Sequence, residues 1–194
     1  MKKLLSSLFE TFRDFIETVF LALALFVVVN TFIAQLHQVT GNSMLPDFHD
    51  GEYLVTDKVT YRFREPKRGE VIIFKAPEAP TRDYIKRVIG LPGESVELRE
   101  GRVYIYNRSH PDGFTLNETY LRPKTLTEGK KFLPAGKRYI IPPENYLVFG
   151  DNREVSSDSR TWGTVTKEEI VGRSLVRLWP PSAFTFIARA EYSE

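Results

Sequence analysis

Ser43 and Lys86 are the residues of this sequence that could together support nucleophilic chemistry. A serine hydroxyl is a poor nucleophile at neutral pH and needs a base within hydrogen-bonding distance. Histidine is the usual base, but His37 and His49 flank Ser43 too closely in sequence to indicate a Ser-His-Asp triad, and the chain contains no Gly-x-Ser-x-Gly motif. A desolvated lysine, whose neutral amine can accept the proton, is the other known solution.

Lys86 meets the first requirement for such a base. It lies in the run "YIKRVIG", which we expect to form a buried strand, and burial lowers a lysine pKa because it penalises the charged form. Lowering the pKa from about 10.4 to about 7 requires roughly 4–5 kcal/mol of differential interaction. Most lysines in strands point to water, so the residues alone leave Lys86 open between a general base and a surface cation.

Composition argues against several other functions. The 194 residues carry 27 basic and 25 acidic side chains, a balance that gives no general attraction to nucleic acid. Cysteine is absent, which excludes disulfides, a cysteine nucleophile and thiolate metal sites. The three histidines follow no metal-ligand spacing. We therefore expect one folded domain with no metal, no cofactor and no nucleic-acid partner.

The N-terminal region contains the longest apolar run of the chain, "VFLALALFVVV" at residues 19–29. With its flanks it covers residues 15–34, about the 20 residues that a helix needs to cross a bilayer. A buried core helix and a cleaved signal peptide are the alternatives. Cleavage is disfavoured because Asp14 and Glu17 lie close to the run, and because Phe32 lies two residues before Ala34, the small residue at its end. We expect an uncleaved anchor.

Basic residues near this run predict its orientation. Lys2, Lys3 and Arg13 lie on the short N-terminal side, which favours a cytoplasmic N-terminus and a chain that is otherwise outside the cytoplasm. The expected organisation is a cytoplasmic segment at 1–14, a single-pass anchor of the cell membrane at 15–34 and an extracytoplasmic domain at 35–194. The polar interval 109–136 is predicted to be a surface excursion of that domain.

The region after residue 50 is predicted to be mostly β-strand and turn. Short runs rich in Val, Ile, Tyr and Phe alternate with Gly, Pro and Asp, and in "VELREGRVYIY" a Glu-Gly pair between two alternating runs predicts a hairpin. Only "TKEEIVG" at 166–172 resembles a short helix. These patterns predict a mostly β domain with one N-terminal transmembrane helix.

Four ordered motifs link these residues to a known family: "GNSMLP", "RGEVIIF", "YIKRVIGLPGE" and "GDNREVSSDSRTWG". In order and separation they resemble the conserved boxes of bacterial type I signal peptidases, and together with the anchor they span most of the chain. The resemblance implies a membrane-anchored serine endopeptidase of mostly antiparallel β fold, which removes signal peptides from exported preproteins with a Ser/Lys dyad.

The resemblance also assigns individual roles. Ser43 stands at the nucleophile position and Lys86 at the general-base position. Ser156 matches the serine that orients the lysine amine. The supporting residues that the resemblance implies are Ser156, Asp158, Arg160, Asp151 and Arg87.

The substrate follows from the same resemblance. It implies secretory preproteins with small residues at the first and third positions before the cut, that is, at −1 and −3. An extended substrate would pair with strand edges near "QVTGN" and "RDYIK", and membrane lipid would surround the anchor. The candidate substrate-binding residues are Met44, Tyr84 and Ile85.

Two positions depart from the family pattern. Gly41 occupies the place where some members have a serine that donates to the oxyanion, so the backbone N–H of Ser43 must carry more of that stabilisation. Asp47, in "PDF", stands where the family more often has threonine. Neither departure changes the dyad.

Two other functions are alternatives to that of a signal peptidase. A self-cleaving, repressor-like protease has a related dyad, but it would carry a DNA-binding region in place of the anchor. A membrane-tethered β-domain that binds partners without chemistry would leave Ser43 in a loop and Lys86 on a solvated face.

Overall fold

A computed structural model of the protein describes residues 2–192. Helix α1 runs over Lys2–Val28, and one π-helical turn at Val29–Ile33 leads directly into the first strand. The segment Phe9–Ile33 is long and apolar enough to cross a membrane. It begins before the predicted anchor at 15–34 and ends where the extended chain starts.

The regular structure of the remaining chain is mostly β-strand. The strands are β1 (Ala34–Gln38), β2 (Tyr53–Asp57), β3 (Val71–Ala76), β4 (Ala79–Gly90), β5 (Ser95–Arg99), β6 (Arg102–Tyr106), β7 (Phe114–Thr115), β8 (Arg138–Ile140), β9 (Asn145–Phe149), β10 (Val165–Thr166), β11 (Ile170–Trp179) and β12 (Thr185–Phe186). Two short helices, α2 (Thr60–Phe63) and α3 (Ser159–Trp162), interrupt them. All strand pairs are antiparallel. The predicted fold class is confirmed.

The strands form two sheets. The larger has the order β1-β2-β11-β3-β4-β9-β10, with β12 added beside β11, and the smaller has the order β7-β6-β5-β8. β4 contributes to the large sheet over its whole length: its first part pairs with β3, and its end, from Arg87, also pairs with β9. β1 is the first strand in the order of the large sheet and pairs only with β2. Both β1 and the first part of β4 therefore have one edge that no described strand covers.

The hairpin expected at "VELREGRVYIY" is confirmed. β5 and β6 are joined by Glu100 and Gly101, which have φ angles of 52° and 70°. Positive φ at both central residues is the requirement of a type I′ turn, whose twist matches that of the strands. The small sheet grows around this hairpin.

Two local predictions were incomplete. Of the helix expected at 166–172, only one 3₁₀ turn forms at Lys167–Glu169, held by a capping box between Thr166 and Glu169. The β-branched residues that follow join β11, where the backbone pairs with β3. The interval 109–136 contains β7 and sends Leu116 and Leu133 into the core of the small sheet, so it does not lie wholly on the surface.

Candidate active site

Ser43 lies in the turn that follows β1. The chain reverses there, with Val39 N–H donating to Glu52 O at 2.8 Å. Asn152, from the loop after β9, holds the turn from the other side: its backbone N–H donates to Ser43 O and its side-chain Nδ2 to Asn42 O, each at 3.0 Å. The position of Ser43 therefore depends on a loop more than 100 residues away in sequence.

Lys86 reaches Ser43 from β4. Its side chain is 4% exposed, and Nζ donates to Ser43 Oγ at 2.8 Å and to Ile85 O at 2.8 Å. The sequence alone left Lys86 open between a general base and a surface cation. In the structure its side chain is buried, so it is not a surface cation. The contact distance is the one that proton transfer between a nucleophile and its base requires.

Burial changes the protonation of this lysine. Desolvation lowers the pKa of Lys86 from 10.5 to about 8, although the negative charges of Asp158 and Asp151 oppose the shift. Near neutral pH a useful fraction of the side chain is therefore the neutral amine, which can accept a proton. A lysine on a solvated strand face would be almost entirely protonated under the same conditions.

A cleft of about 670 Å³ opens beside the Ser43–Lys86 pair. Tyr84 and Ile85 are among the residues that line it, as are the apolar side chains of Val39, Leu54 and Ile73. Met44 is not part of the lining: it is 1% exposed and packs in the same core cluster as Val39. Among the described residues, no group of His, Asp and Glu side chains could hold a metal ion.

Comparison with known proteins assigns this arrangement to a family. Residues 12–179 match the family model described as "Signal peptidase, peptidase S26". The chain belongs to the signal peptidase family, peptidase S26. Members of this family are serine endopeptidases that cleave signal peptides, and the N-terminal apolar helix fits a membrane anchor. The resemblance inferred from the four motifs is confirmed.

Individual relatives show how far the similarity extends. The chain is 37% identical to a signal peptidase I of Leptolyngbya laminosa, over 85% of this chain and 78% of that one. It is 33% identical to a signal peptidase IB of Staphylococcus aureus, over 89% and 92% of the two chains. The crystal structure of a signal peptidase I from Enterococcus faecalis aligns with a TM-score of 0.44 and 28% identity, over 57% of this chain and 97% of that one.

Gly150 allows the loop after β9 to approach Ser43 closely. A Cβ at this position would lie 2.2 Å from Ser156 Oγ and 2.5 Å from Ser43 O, so any other residue would push the loop away. Ser156 is fully buried there. Among the described residues, the amine of Lys86 makes hydrogen bonds to Ser43 and Ile85 and none to Ser156. The orienting role expected for Ser156 remains a prediction.

Asp158 and Arg160 form a buried bidentate ion pair in the same signal peptidase motif. Arg160 donates from Nε to Asp158 Oδ1 at 2.9 Å and from Nη2 to Oδ2 at 2.8 Å. Asp158 Oδ2 also accepts from Gly150 N–H at 3.0 Å. Burial is the largest influence and raises the pKa of Asp158, but the hydrogen bonds and charge of Arg160, together with the hydrogen bond from Gly150 N–H, hold the pKa below its ordinary 3.8. The pair therefore stays ionised and anchors the loop.

Arg87 and Asp151 make a second pair of this kind. Arg87 donates to the two carboxylate oxygens of Asp151 at 2.9 and 2.6 Å. The same guanidinium donates to Asp47 at 2.8 Å, a contact that sequence analysis missed. In the sequence Asp47 stands out only as a departure from the family pattern, and the signal for this contact is a carboxylate where the family more often has a neutral threonine. Arg87 thus joins the turn after β1, which carries Ser43 and Asp47, to the loop after β9.

Arg153 is a further buried residue whose role sequence analysis did not resolve. It is 1% exposed and forms an ion pair with Glu118, from the interval 109–136, and a hydrogen bond to Gly150 O at 3.0 Å. No local pattern could have predicted the pairing, because 35 residues separate the two side chains. The interval 109–136 therefore supports the site loop.

Proposed function

We propose that this chain removes signal peptides from secretory preproteins with Ser43 as nucleophile and Lys86 as general base. The observation that carries the proposal is the 2.8 Å contact between Lys86 Nζ and Ser43 Oγ, made by a lysine that is 4% exposed. Family membership supports the reaction class, and the geometry supports the choice of residues.

The reaction begins with proton transfer. The neutral amine of Lys86 accepts the hydroxyl proton of Ser43 while Oγ attacks the carbonyl carbon of the scissile peptide bond. The protonated lysine then delivers this proton to the leaving amine, and an acyl-enzyme remains on Ser43. The amine, neutral again, activates the water molecule that hydrolyses the ester and releases the signal peptide.

The developing oxyanion needs hydrogen-bond donors. Gly41 N–H is already used, since it donates to Asp50 Oδ1 at 2.6 Å. Within the described residues, the backbone N–H of Ser43 has no protein acceptor, which makes it available to the oxyanion. This arrangement supports a backbone donor at the position where other members of the family offer a serine side chain.

The supporting residues position this pair. Asp158 with Arg160 and Asp151 with Arg87 hold the loop after β9 against the nucleophile turn, and Ser156 is proposed to orient the lysine amine from its buried place beside Gly150. Such second contacts keep a catalytic pair within the narrow range of productive geometry.

The substrate and location complete the proposal. The cleft's apolar lining, which includes Tyr84 and Ile85, supports small apolar residues at −1 and −3 of the preprotein, with Met44 backing the lining from the core. The charges of Lys2, Lys3 and Arg13 support a cytoplasmic N-terminus of a single-pass cell-membrane protein, with the β domain outside.

Cleavage of a preprotein with an Ala-x-Ala site, by the full chain in detergent, tests the proposal. We expect cleavage after the second alanine, and its loss in Ser43→Ala and in Lys86→Ala. Circular dichroism of both variants controls for folding. A folded wild type that leaves the preprotein intact would overturn the proposal in favour of a binding module. Folded variants that still cleave it would overturn the assignment of Ser43 and Lys86.

A further inference from the structure

The cleft lies in a gap between two strand edges. β1 ends the order of the large sheet, and residues 79–86 of β4 pair with β3 on one side only. Counting antiparallel neighbours through β2, β11 and β3 shows that β1 and β4 run in the same direction. Both therefore lead towards the reactive pair, since Ser43 follows β1 and Lys86 lies near the end of β4.

One side-chain contact crosses this gap. His37 Nε2, from β1, lies 3.2 Å from Asp83 Oδ2 of β4, and the side chains are 12% and 21% exposed. Each partner is held on its far side: His37 Nδ1 lies 2.8 Å from Thr56 Oγ1, and Lys75 forms a 2.7 Å ion pair with Asp83. A neutral imidazole satisfies both of its contacts when Nε2–H donates to Asp83 and the Thr56 hydroxyl donates to Nδ1.

The bridge ends the apolar floor of the cleft. His37 lies two residues before Val39 and Asp83 two before Ile85, and all four residues line the cleft. Side chains two apart in a strand point to the same face, so the pair continues the row that Val39 and Ile85 begin. The floor of the cleft is therefore apolar at Val39 and Ile85. Two strand residues further from Ser43, the His37–Asp83 bridge makes it polar and closes it.

An extended substrate places alternate side chains over this floor. With the residue at −1 beside Ser43, the residue at −3 lies about 7 Å further upstream, two strand residues at about 3.3 Å each. Its side chain then lies over Val39 and Ile85 and points towards the bridge.

We propose that the His37–Asp83 bridge is a specificity determinant that limits the size of the substrate side chain at −3. This inference rests on the proposed function. A large side chain at −3 must separate His37 from Asp83. The buried Thr56 hydroxyl and the Asp83 carboxylate then lose their hydrogen bonds to the imidazole, which costs free energy. A small side chain leaves the bridge intact.

Two preproteins that differ only at −3, with Ala or Leu, test this inference. The measured quantity is the ratio of kcat/KM for the Leu substrate to that for the Ala substrate. We expect His37→Ala to raise this ratio about tenfold or more, the range that a few methylene groups in a pocket provide. His37→Gln, which keeps volume and hydrogen-bonding groups, should retain most of the wild-type discrimination.

His49→Ala is the matched control, because His49 also pairs with a carboxylate but is 63% exposed and does not line the cleft. Its ratio should stay within about twofold of the wild type. If His37→Ala does not fold, Asp83→Ala opens the same bridge from β4 and should raise the ratio in the same way. An unchanged ratio in a folded bridge variant, with both substrates slowed equally, overturns the inference and leaves the proposed function standing. A wild type that cleaves neither substrate overturns both.

Discussion

The pH dependence of cleavage depends on the environment of Lys86. Its pKa of about 8 lies about 2.5 units below the ordinary 10.5, a difference of about 3 kcal/mol in favour of the neutral form. At pH 7 about 9% of the side chain is then neutral, against about 0.03% for an unperturbed lysine, a gain of about 300-fold in the reactive form. We expect kcat/KM to rise about tenfold per pH unit below pH 8 and to level off above about pH 9.

The assay is cleavage of an Ala-x-Ala preprotein from pH 6 to pH 10 at substrate concentrations well below KM, where the profile reports the free enzyme. Lys86→Arg keeps the charge but cannot lose its proton, so it should be inactive throughout the range. Lys137→Met, a change at an exposed lysine just before β8, should leave the profile unchanged. A wild-type midpoint near 10.5, or an inflection that survives in Lys86→Arg, would refute the role of burial in activating this lysine.

Four further outcomes follow from the same contacts. Lys86→Met should abolish cleavage yet raise the free energy of unfolding at pH 7 by up to about 3 kcal/mol, measured by denaturant unfolding. Between pH 8 and 10.5 the unfolded wild type binds more protons than the folded protein, so wild-type stability rises with pH. The stability difference between Lys86→Met and the wild type should therefore shrink over that range. Gly150→Ala should lower kcat/KM by about 100-fold or more, since its Cβ would lie 2.5 Å from Ser43 O; an active variant would contradict the close approach. Arg153→Met should cost about 3–5 kcal/mol of unfolding free energy, because it leaves the carboxylate of Glu118 buried and unpaired. EDTA should leave cleavage unchanged, and inhibition that added metal reverses would contradict the dyad mechanism.

Local sequence patterns predicted the parts of the fold that depend on neighbouring residues. The hairpin around Glu100 and Gly101 could be predicted because a two-residue turn and strand alternation are both local. Helices α2 and α3 could not, since each has four residues, too few for a helical period to show. The expectation that Lys86 is buried came from its apolar neighbours, whereas its assignment as a base depended on the family motifs.

The side-chain pairs of the site could not be predicted from local patterns. His37 and Asp83 are 46 residues apart, and Arg87 and Asp151 are 64 apart. Each residue alone has the sequence context of an exposed polar side chain in a strand or loop. The His37–Asp83 contact arises because the fold brings β1 and β4 to either side of one gap, whose position depends on the order of all the strands between them. The Arg87–Asp151 contact arises because the end of β4 pairs with β9, which Asp151 follows.

The two buried arginine–carboxylate pairs explain how Lys86 can serve as the proposed base so close to acidic groups. Both Asp158 and Asp151 raise the pKa of Lys86, and an unpaired carboxylate in this position would favour the charged ammonium. Each is instead held by two hydrogen bonds from an arginine, Arg160 or Arg87, so each pair has no net charge. Desolvation by the surrounding apolar side chains then remains the largest influence on the lysine. The same pairs fix the loop that carries Gly150 against Ser43, so the contacts that hold the site in place also leave Lys86 deprotonated enough to act as the proposed base.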